Sequence, residues 1–140
     1  MWCYTILSDN ENKLTHTLSA ALEACGFDVL PVCAGAPKRR EKAWDRQIAL
    51  VSEDEEGRIR MLHPHMVIVP PALPPEAYAY RPAVRCAAAV LPGSLRAEIA
   101  GKIDARCLVT YGMSSKDTIT VSSAKDTLML SVQRELLDLS

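Results

Sequence analysis

The sequence predicts a single α/β domain over residues 1–140, with three layers and a mainly parallel, Rossmann-like sheet that ends in an antiparallel C-terminal β-hairpin. Three observations predict this fold. Short apolar runs of strand length recur along the chain and are separated by longer connections. A chain of 140 residues is the size of one ordinary domain. Two alternating segments close together near the C-terminus indicate a hairpin.

The first β-α-β unit is well marked. Trp2–Leu7 predict a strand, and the spacing of Ser8 and Glu11 predicts a capping box at a helix start. The helix has one apolar stripe and then Gly26, which suits a left-handed C-terminal position. Its stripe consists of Leu14, Leu18, Leu22 and Cys25. Phe27–Val32 predict a second strand, and the crossover is long enough to make the two strands parallel neighbours.

Residues 34–62 admit two interpretations. Pro37 is placed to open a short helix that runs to about Arg46. Gln47–Ser52 and Arg58–Leu62 would then pair as a hairpin, because the acidic turn between them ends in Gly57. The alternative is that residues 47–62 are helical.

The next elements follow a strand, loop, strand and helix pattern. Met66–Val69 is a short apolar run typical of a buried parallel strand. Pro70–Pro82 contains five of the nine prolines and predicts a long extended loop. Val84–Leu91 predict a strand, and Pro92–Ser94 predict the turn after it. The helix that follows has Leu95, Ile99 and Ile103 on its apolar side.

The C-terminal third organises the edge of the sheet. Cys107–Val109 predict a buried strand that Tyr111 and Gly112 interrupt. Thr118–Ser122 and Thr127–Val132 alternate apolar and polar residues, so we expect a hairpin with one apolar face. An exposed edge of this kind predicts a homodimer through the hairpin or the tail. The competing interpretation is that the tail packs on its own sheet.

Composition excludes several classes of protein. The formal charge of −1 argues against broad electrostatic capture, so neither nucleic acid nor membrane is expected as a partner. No apolar run approaches the roughly 20 residues that span a bilayer. The N-terminus has no signal-peptide pattern, and the five cysteines contain no C-x-x-C pair. We therefore expect a reduced, cytoplasmic protein.

Candidate ligand-binding residues follow the predicted strands, where open α/β sheets bind their ligands. Gly93 lets the backbone approach an anion closely, and Lys116 adds a cation. The expected ligand is a small anion, and the predicted binding residues are Ser8, Asp9, Gly93, Ser94, Gly112, Ser114, Ser115 and Lys116. Taken singly, each has a commoner structural interpretation, since Ser8 and Ser94 suit helix caps and Gly112 suits a turn.

Signatures of catalysis are missing from the sequence. Neither G-x-G-x-x-G nor G-x-x-x-x-G-K-[ST] occurs, and no catalytic residue, cofactor or metal is assigned. His63 and His65 are interpreted as loop residues and Cys33 as a small core residue. The expected function is a non-catalytic, anion-binding or nucleotide-binding regulatory module. The alternative is a protein-interaction or oligomeric scaffold subunit without a small ligand.

The segment from Cys107 to Ser114, together with the hairpin after it, resembles the end of the central domain of the Mur ligases, which are ATP-dependent amide ligases of peptidoglycan assembly. In that family a strand ends in a similar Thr-Tyr-Gly and antiparallel strands follow. Ala89–Ser94 and the next helix take the place of a family strand, acidic turn and helix, so the likeness covers Val84–Gln133, about a third of the chain. The family's phosphate loop is missing and Pro92-Gly-Ser replaces the acidic turn. The resemblance therefore implies a degenerate central domain without ligase chemistry.

Overall fold

The computed structural model describes residues 1–7, 9, 11–32, 46–53, 63–71, 73, 82–99, 101–124 and 127–133. Within these residues the chain forms one eight-stranded sheet with two α-helices. The strands are β1 (Trp2–Ile6), β2 (Asp28–Val32), β3 (Gln47–Ser52), β4 (Met66–Ile68), β5 (Val84–Pro92), β6 (Ile103–Gly112), β7 (Ile119–Ala124) and β8 (Thr127–Val132). The helices are α1 (Lys13–Ala24) and α2 (Arg96–Ile99), and a 3-10 turn (Gly93–Leu95) leads into α2.

The sheet is mostly parallel, and the α/β class predicted from the sequence is confirmed. Its strand order is β2-β3-β1-β4-β5-β6-β7-β8. Every neighbouring pair from β2 to β7 is parallel, and β8 alone pairs antiparallel, with β7. The carboxyl ends of β1, β4, β5 and β6 therefore lie along one edge of the sheet.

Strand β3 corrects two of the predictions. All six of its residues are buried, and Ile48 lies between Trp2 of β1 and Val29 of β2. The predicted hairpin between Gln47–Ser52 and Arg58–Leu62 is wrong, because both sides of β3 already pair with parallel strands. The prediction that β1 and β2 are neighbours is also wrong, since β3 separates them. The unbroken apolar run in β3 is what a strand covered on both faces requires.

Helix α1 packs its apolar stripe on one face of the sheet. Leu14, Leu18 and Leu22 contact a core formed by Ile6, Val29 and Leu50. Cys25 is exposed and follows the last turn, so it does not belong to the stripe as predicted. The left-handed conformation predicted for Gly26, at the end of the helix, is confirmed.

Gly26 has φ 87°, and two backbone hydrogen bonds close the helix around it. The amide of Phe27 donates to the Leu22 carbonyl at 3.1 Å, and the amide of Gly26 donates to the Glu23 carbonyl at 3.0 Å. This pair of bonds is a Schellman motif, which satisfies the last carbonyls of a helix.

A second core lies on the other face of the sheet. Val67, Val69, Leu91 and Ile99 pack together there, whereas Ile68 packs with the α1 core. Because successive side chains of a strand alternate between its faces, Ile99 of α2 and the stripe of α1 cover opposite faces. The described core is mainly aliphatic.

Two predicted boundaries near the C-terminus are wrong. Tyr111 and Gly112 continue β6 instead of breaking it, because Tyr111 pairs with Pro92 and extends the ladder between β5 and β6. Ile103 pairs with Val84 and begins β6, so it does not lie on a helix. The helix predicted over this region shrinks to the single turn of α2.

Strands β7 and β8 (Ile119–Val132) form one end of the sheet, which we call the arm. Within the described residues, β7 pairs with β6 only through Ile119 and Thr120, and the rest of β7 pairs only with β8. Opposite residues of an antiparallel pair share a face, so one face of the arm is apolar. That face carries Ile119, Val121, Leu128, Leu130 and Val132. Leu128 and Leu130 are each 67% exposed, which confirms the apolar face predicted from the alternation.

Some predicted features lie outside the described residues. They are Ser8 of the capping box, the helix that was expected to end near Arg46, the Arg58–Leu62 segment, and most of the proline-rich loop. Among the helices that the structure describes, none has the length and hydropathy needed to cross a membrane.

Candidate functional site

The candidate site lies where β5 and β6 end side by side. Pro92 pairs with Tyr111, so Gly93 and Gly112 follow at adjacent points of the same edge. Gly93 enters the 3-10 turn, and Gly112 enters the turn that leads to β7. The strand register thus brings together two loops that are about 20 residues apart in the sequence.

The carboxylate of Asp117 lies between these two glycines. Asp117 is buried, and a Cβ atom on Gly93 would lie 2.7 Å from its Cγ. A Cβ atom on Gly112 would lie 2.5 Å from its Oδ2. Such distances are far below van der Waals contact, so a side chain at either position would displace the buried carboxylate of Asp117.

Hydrogen bonds fix the turn that carries Asp117. The Ser114 amide donates to Asp117 Oδ2 at 3.1 Å, and the Asp117 amide donates to the Ser114 carbonyl at 3.0 Å. Thr110 and Thr118 close the base of the turn, since the Thr118 amide donates to Thr110 Oγ1 at 3.0 Å and the Thr110 amide donates to Thr118 Oγ1 at 3.3 Å. These hydrogen bonds hold the turn in one conformation, in which Asp117 and Thr118 are buried.

A cavity of about 580 Å³ opens above this edge, and we call it the edge cavity. Its lining combines backbone at Gly93 and Gly112 with the hydroxyl-bearing side chains Ser94, Thr110, Tyr111 and Ser114. Arg96 and Lys116, both exposed, add two cations, and Asp117 adds one carboxylate. Concave sites with a few convergent polar groups are the usual form of small-molecule binding sites.

Tyr111 links the edge cavity to β4, which β5 separates from β6. Its hydroxyl donates to the Val69 carbonyl at 2.7 Å, just beyond the end of β4. Burial raises the pKa of the Tyr111 phenol to about 12. The phenol therefore stays neutral at ordinary pH and keeps this hydrogen bond.

The eight predicted binding residues fall into four groups. Five of them, Gly93, Ser94, Gly112, Ser114 and Lys116, line the edge cavity. Ser115 is exposed on the same turn but is not part of the lining. Asp9 lies at the end of β1, with β4 between it and β5, and Ser8 lies outside the described residues.

The side chain of Asp9 supports helix α1. Its Oδ2 accepts hydrogen bonds from the Thr15 amide at 2.7 Å and the Thr15 hydroxyl at 2.6 Å, and its Oδ1 accepts from the Leu14 amide at 3.3 Å. Asp9 thus satisfies amides at the start of the helix, which is the role that the sequence assigned to Ser8 and Glu11. Glu11 instead pairs with Lys13, and α1 begins later than predicted.

The histidines and cysteines have structural surroundings. His65 Nδ1 accepts a hydrogen bond from the Cys3 amide at 3.0 Å, and its ring makes an edge contact with Trp2. Burial raises the pKa of the Cys3 thiol and raises that of Cys86 to about 11. In the described part of the chain, no three metal-ligating side chains cluster. Cys33 lies outside the described residues.

Seven lining residues were not among the eight predicted binding residues, and the charged ones of these seven are Arg96 and Asp117. Arg96 follows the predicted turn by two residues, and Asp117 follows Lys116 directly, so both lie next to residues that were singled out. Nothing local marks an aspartate that packs against two glycines. The paired glycines at the ends of two strands are the signal that points to it.

The chain matches no protein-family model, and it has no significant match among curated proteins.

Proposed function

We propose that this protein binds a small anionic ligand in the edge cavity and acts as a binding or regulatory module. One observation carries the proposal: residues from two distant loops, including the cations Arg96 and Lys116, line one cavity at the carboxyl edge of a parallel sheet. Open α/β sheets bind ligands at this edge.

The charges of the lining favour an anion. Arg96 and Lys116 outnumber Asp117, whose carboxylate is buried against the glycines and accepts the Ser114 amide. A guanidinium forms bidentate hydrogen bonds with phosphate or carboxylate, and an ammonium adds a point charge. The hydroxyls of Ser94 and Ser114 supply further donors for the oxygens of an anion.

Binding is proposed in preference to catalysis because of the same lining. Histidine is the side chain that most often performs general acid-base catalysis, and a pair of carboxylates with separated pKa values is another common arrangement. Among the described lining residues, Asp117 is the one carboxylate and no histidine is present.

A thermal-shift and titration screen tests the proposal. The probes are inorganic phosphate, nucleotides and sugar nucleotides, with the wild type, Lys116→Ala and Arg96→Ala. A ligand at a hundred times its Kd stabilises the fold by about 2.7 kcal/mol, which raises the Tm of a domain of this size by several degrees. We expect a shift with one class of anion that both variants reduce.

The matched control is Lys13→Ala, which removes an exposed lysine on α1 that pairs with Glu11. It should respond to the ligand like the wild type. If no anion shifts the Tm, or if Lys13→Ala weakens binding as much as Lys116→Ala, the proposed site is wrong.

We also propose a three-layer, Rossmann-like arrangement related to the Mur ligase central domain. The packing of α1 and Ile99 against different cores supports the layers. Thr110, Tyr111 and Gly112 at the end of β6, followed by the arm of β7 and β8, support the kinship. Binding of ATP in the same screen would strengthen this relation, because the ligases of that family depend on ATP, and indifference to ATP would weaken it.

The arm favours a second candidate function, self-association as a scaffold subunit. Leu128, Leu130 and Val132 are more than half exposed on its apolar face. A two-stranded hairpin is marginally stable in water without cover. Neither β7 nor β8 contains a charged residue, so the apolar faces of two copies can meet without placing like charges together. A second copy of the chain is therefore the occupant that we propose.

Sedimentation equilibrium over a wide concentration range tests self-association. Leu130→Lys should shift the wild-type protein towards monomer, because it places a charge in the proposed interface. Ser131→Lys is the matched control, since residue 131 lies on the opposite face of the arm. A monomeric wild type, or equal effects of the two lysines, would rule out a dimer through the apolar face.

A further inference from the structure

We propose that the ligand of the edge cavity carries a short apolar group beside its anionic group, as an alkyl or aryl phosphate monoester does. This inference rests on the proposed anion-binding function and adds the class of ligand. Its starting point is a second cavity of about 210 Å³. We call it the apolar cavity, because five of its six lining residues are apolar: Leu91, Ile99, Ile103, Ala105 and Leu108, with Arg96 as the sixth.

The two cavities are adjacent. Arg96 lines both of them. Leu108 lines the apolar cavity and Thr110 lines the edge cavity, and these residues stand two apart on β6. Residues two apart on a strand share a face and are separated by about 7 Å. A ligand of a few bonds therefore reaches from one cavity into the other along the face of β6, past the side chain of Arg96.

The short helix α2 leaves the apolar cavity open. Ile99, at the end of α2, is 1% exposed and closes one side, whereas Leu108 is 39% exposed. An exposed leucine at the wall of an apolar hollow loses water when a ligand's apolar group covers it, and that transfer is favourable. The exposed surface of Leu108 is thus available to contact an apolar group of a ligand that is bound at the anion site.

The size and donors of the combined site define the ligand further. A volume of about 210 Å³ equals roughly seven water molecules in the liquid, enough for a short alkyl chain or one aromatic ring. Two cations and the hydroxyls of Ser94 and Ser114 suit the three terminal oxygens of a phosphate monoester better than the two of a carboxylate.

Calorimetric titration with a homologous series tests the inference. The probes are inorganic phosphate, methyl phosphate, butyl phosphate and phenyl phosphate. Each buried methylene should tighten binding by about fourfold, so the affinity for butyl phosphate should exceed that for methyl phosphate by roughly ten- to sixtyfold. Phenyl phosphate should also bind more tightly than methyl phosphate.

Two variants locate the gain in the apolar cavity. Ala105→Leu fills it from β6, and Leu108→Ser removes its exposed apolar wall, so the ratio of butyl to methyl affinity should fall below about threefold in each. Leu108 is partly exposed, so Leu108→Ser folds even if Ala105→Leu does not. In the control Lys13→Ala the ratio should equal that of the wild type.

The outcomes separate this inference from the proposed function. If methyl and butyl phosphate bind the wild type with equal affinity, the apolar contact is wrong while anion binding stands. If the ratio survives in both variants, the apolar group binds elsewhere and the inference is overturned. If neither phosphate nor any of its esters binds, the proposed anion site fails, and this inference fails with it.

Discussion

The carboxylate of Asp117 occupies the space that a side chain on Gly93 would need. Gly93 directly follows β5, and Asp117 stands 24 positions later in the turn before β7. The two residues meet because β5 and β6 are neighbours in register. Their contact fixes the shape of the edge cavity, and it makes the glycine a requirement of the tertiary structure.

Gly93→Ala should therefore destabilise the fold. A Cβ atom 2.7 Å from Asp117 Cγ forces the buried carboxylate to move, and overpacking of this kind costs about 1 to 3 kcal/mol. Urea unfolding measures the loss. The control is Gly101→Ala, because nothing lies within 4 Å of a Cβ atom at residue 101. Equal costs at the two glycines would contradict the packing argument.

A double-mutant cycle tests whether Asp117 is the cause. Asp117→Ala removes the carboxylate that fills the space beside Gly93, so Gly93→Ala should cost less in that background than in the wild type. We expect a coupling free energy of about 1 kcal/mol or more between the two positions. Additive costs would show that another contact makes residue 93 intolerant.

Asp9→Ala should destabilise the protein by about 1 to 3 kcal/mol, because it leaves the Leu14 and Thr15 amides without their partner. Chemical denaturation measures the change. Glu11→Ala is the control on the same connection, since its exposed pair with Lys13 contributes little. A larger loss of stability from Glu11→Ala than from Asp9→Ala would instead support the capping box that the sequence predicts.

Because of Tyr111, the stability of the wild-type protein should fall as the pH becomes alkaline. The folded state holds the phenolic proton more tightly than the unfolded state, since the pKa rises from the ordinary value near 10 to about 12. The corresponding stabilisation is complete below pH 10 and is lost as the pH rises through about 12. Urea unfolding of the wild type and of Tyr111→Phe across this pH range measures the contribution of Tyr111 to the free energy of unfolding.

The difference between these two proteins should be largest near neutral pH and should shrink in alkali. Tyr111→Phe also loses the hydrogen bond to the Val69 carbonyl, so it should be less stable at neutral pH by about 1 kcal/mol. A difference that stays constant between pH 9 and pH 12 would mean that the phenol titrates alike in both states.

The thiols should differ in reactivity. Burial raises the pKa of Cys86 to about 11, whereas Cys25 is exposed after α1. Near neutral pH, iodoacetamide should modify Cys25 more than about tenfold faster than Cys86, because burial both suppresses the Cys86 thiolate and blocks access to it. Peptide mass spectrometry measures the rates, and unfolding in urea should make them similar. A fast native reaction at Cys86 would contradict its burial.

Local patterns account for what the sequence revealed. The α/β class, the stripe of Leu14, Leu18 and Leu22, and the apolar face of the arm all follow from the periodicity of apolar residues. The conformation of Gly26 follows from a glycine placed after a helix stripe, because residues with a Cβ atom avoid positive φ. Each of these signals lies within a few neighbouring residues.

The tertiary structure alone decided the strand order and the site. Gln47–Ser52 carries the same apolar run whether it lies in a hairpin or in the middle of a sheet, and its pairing with both β1 and β2 settles the matter. The role of Asp9 depended on where α1 begins, and the role of Asp117 depended on the register of β5 and β6. Such contacts join residues far apart in the chain, so their energies appear only when the strands pair and the loops meet.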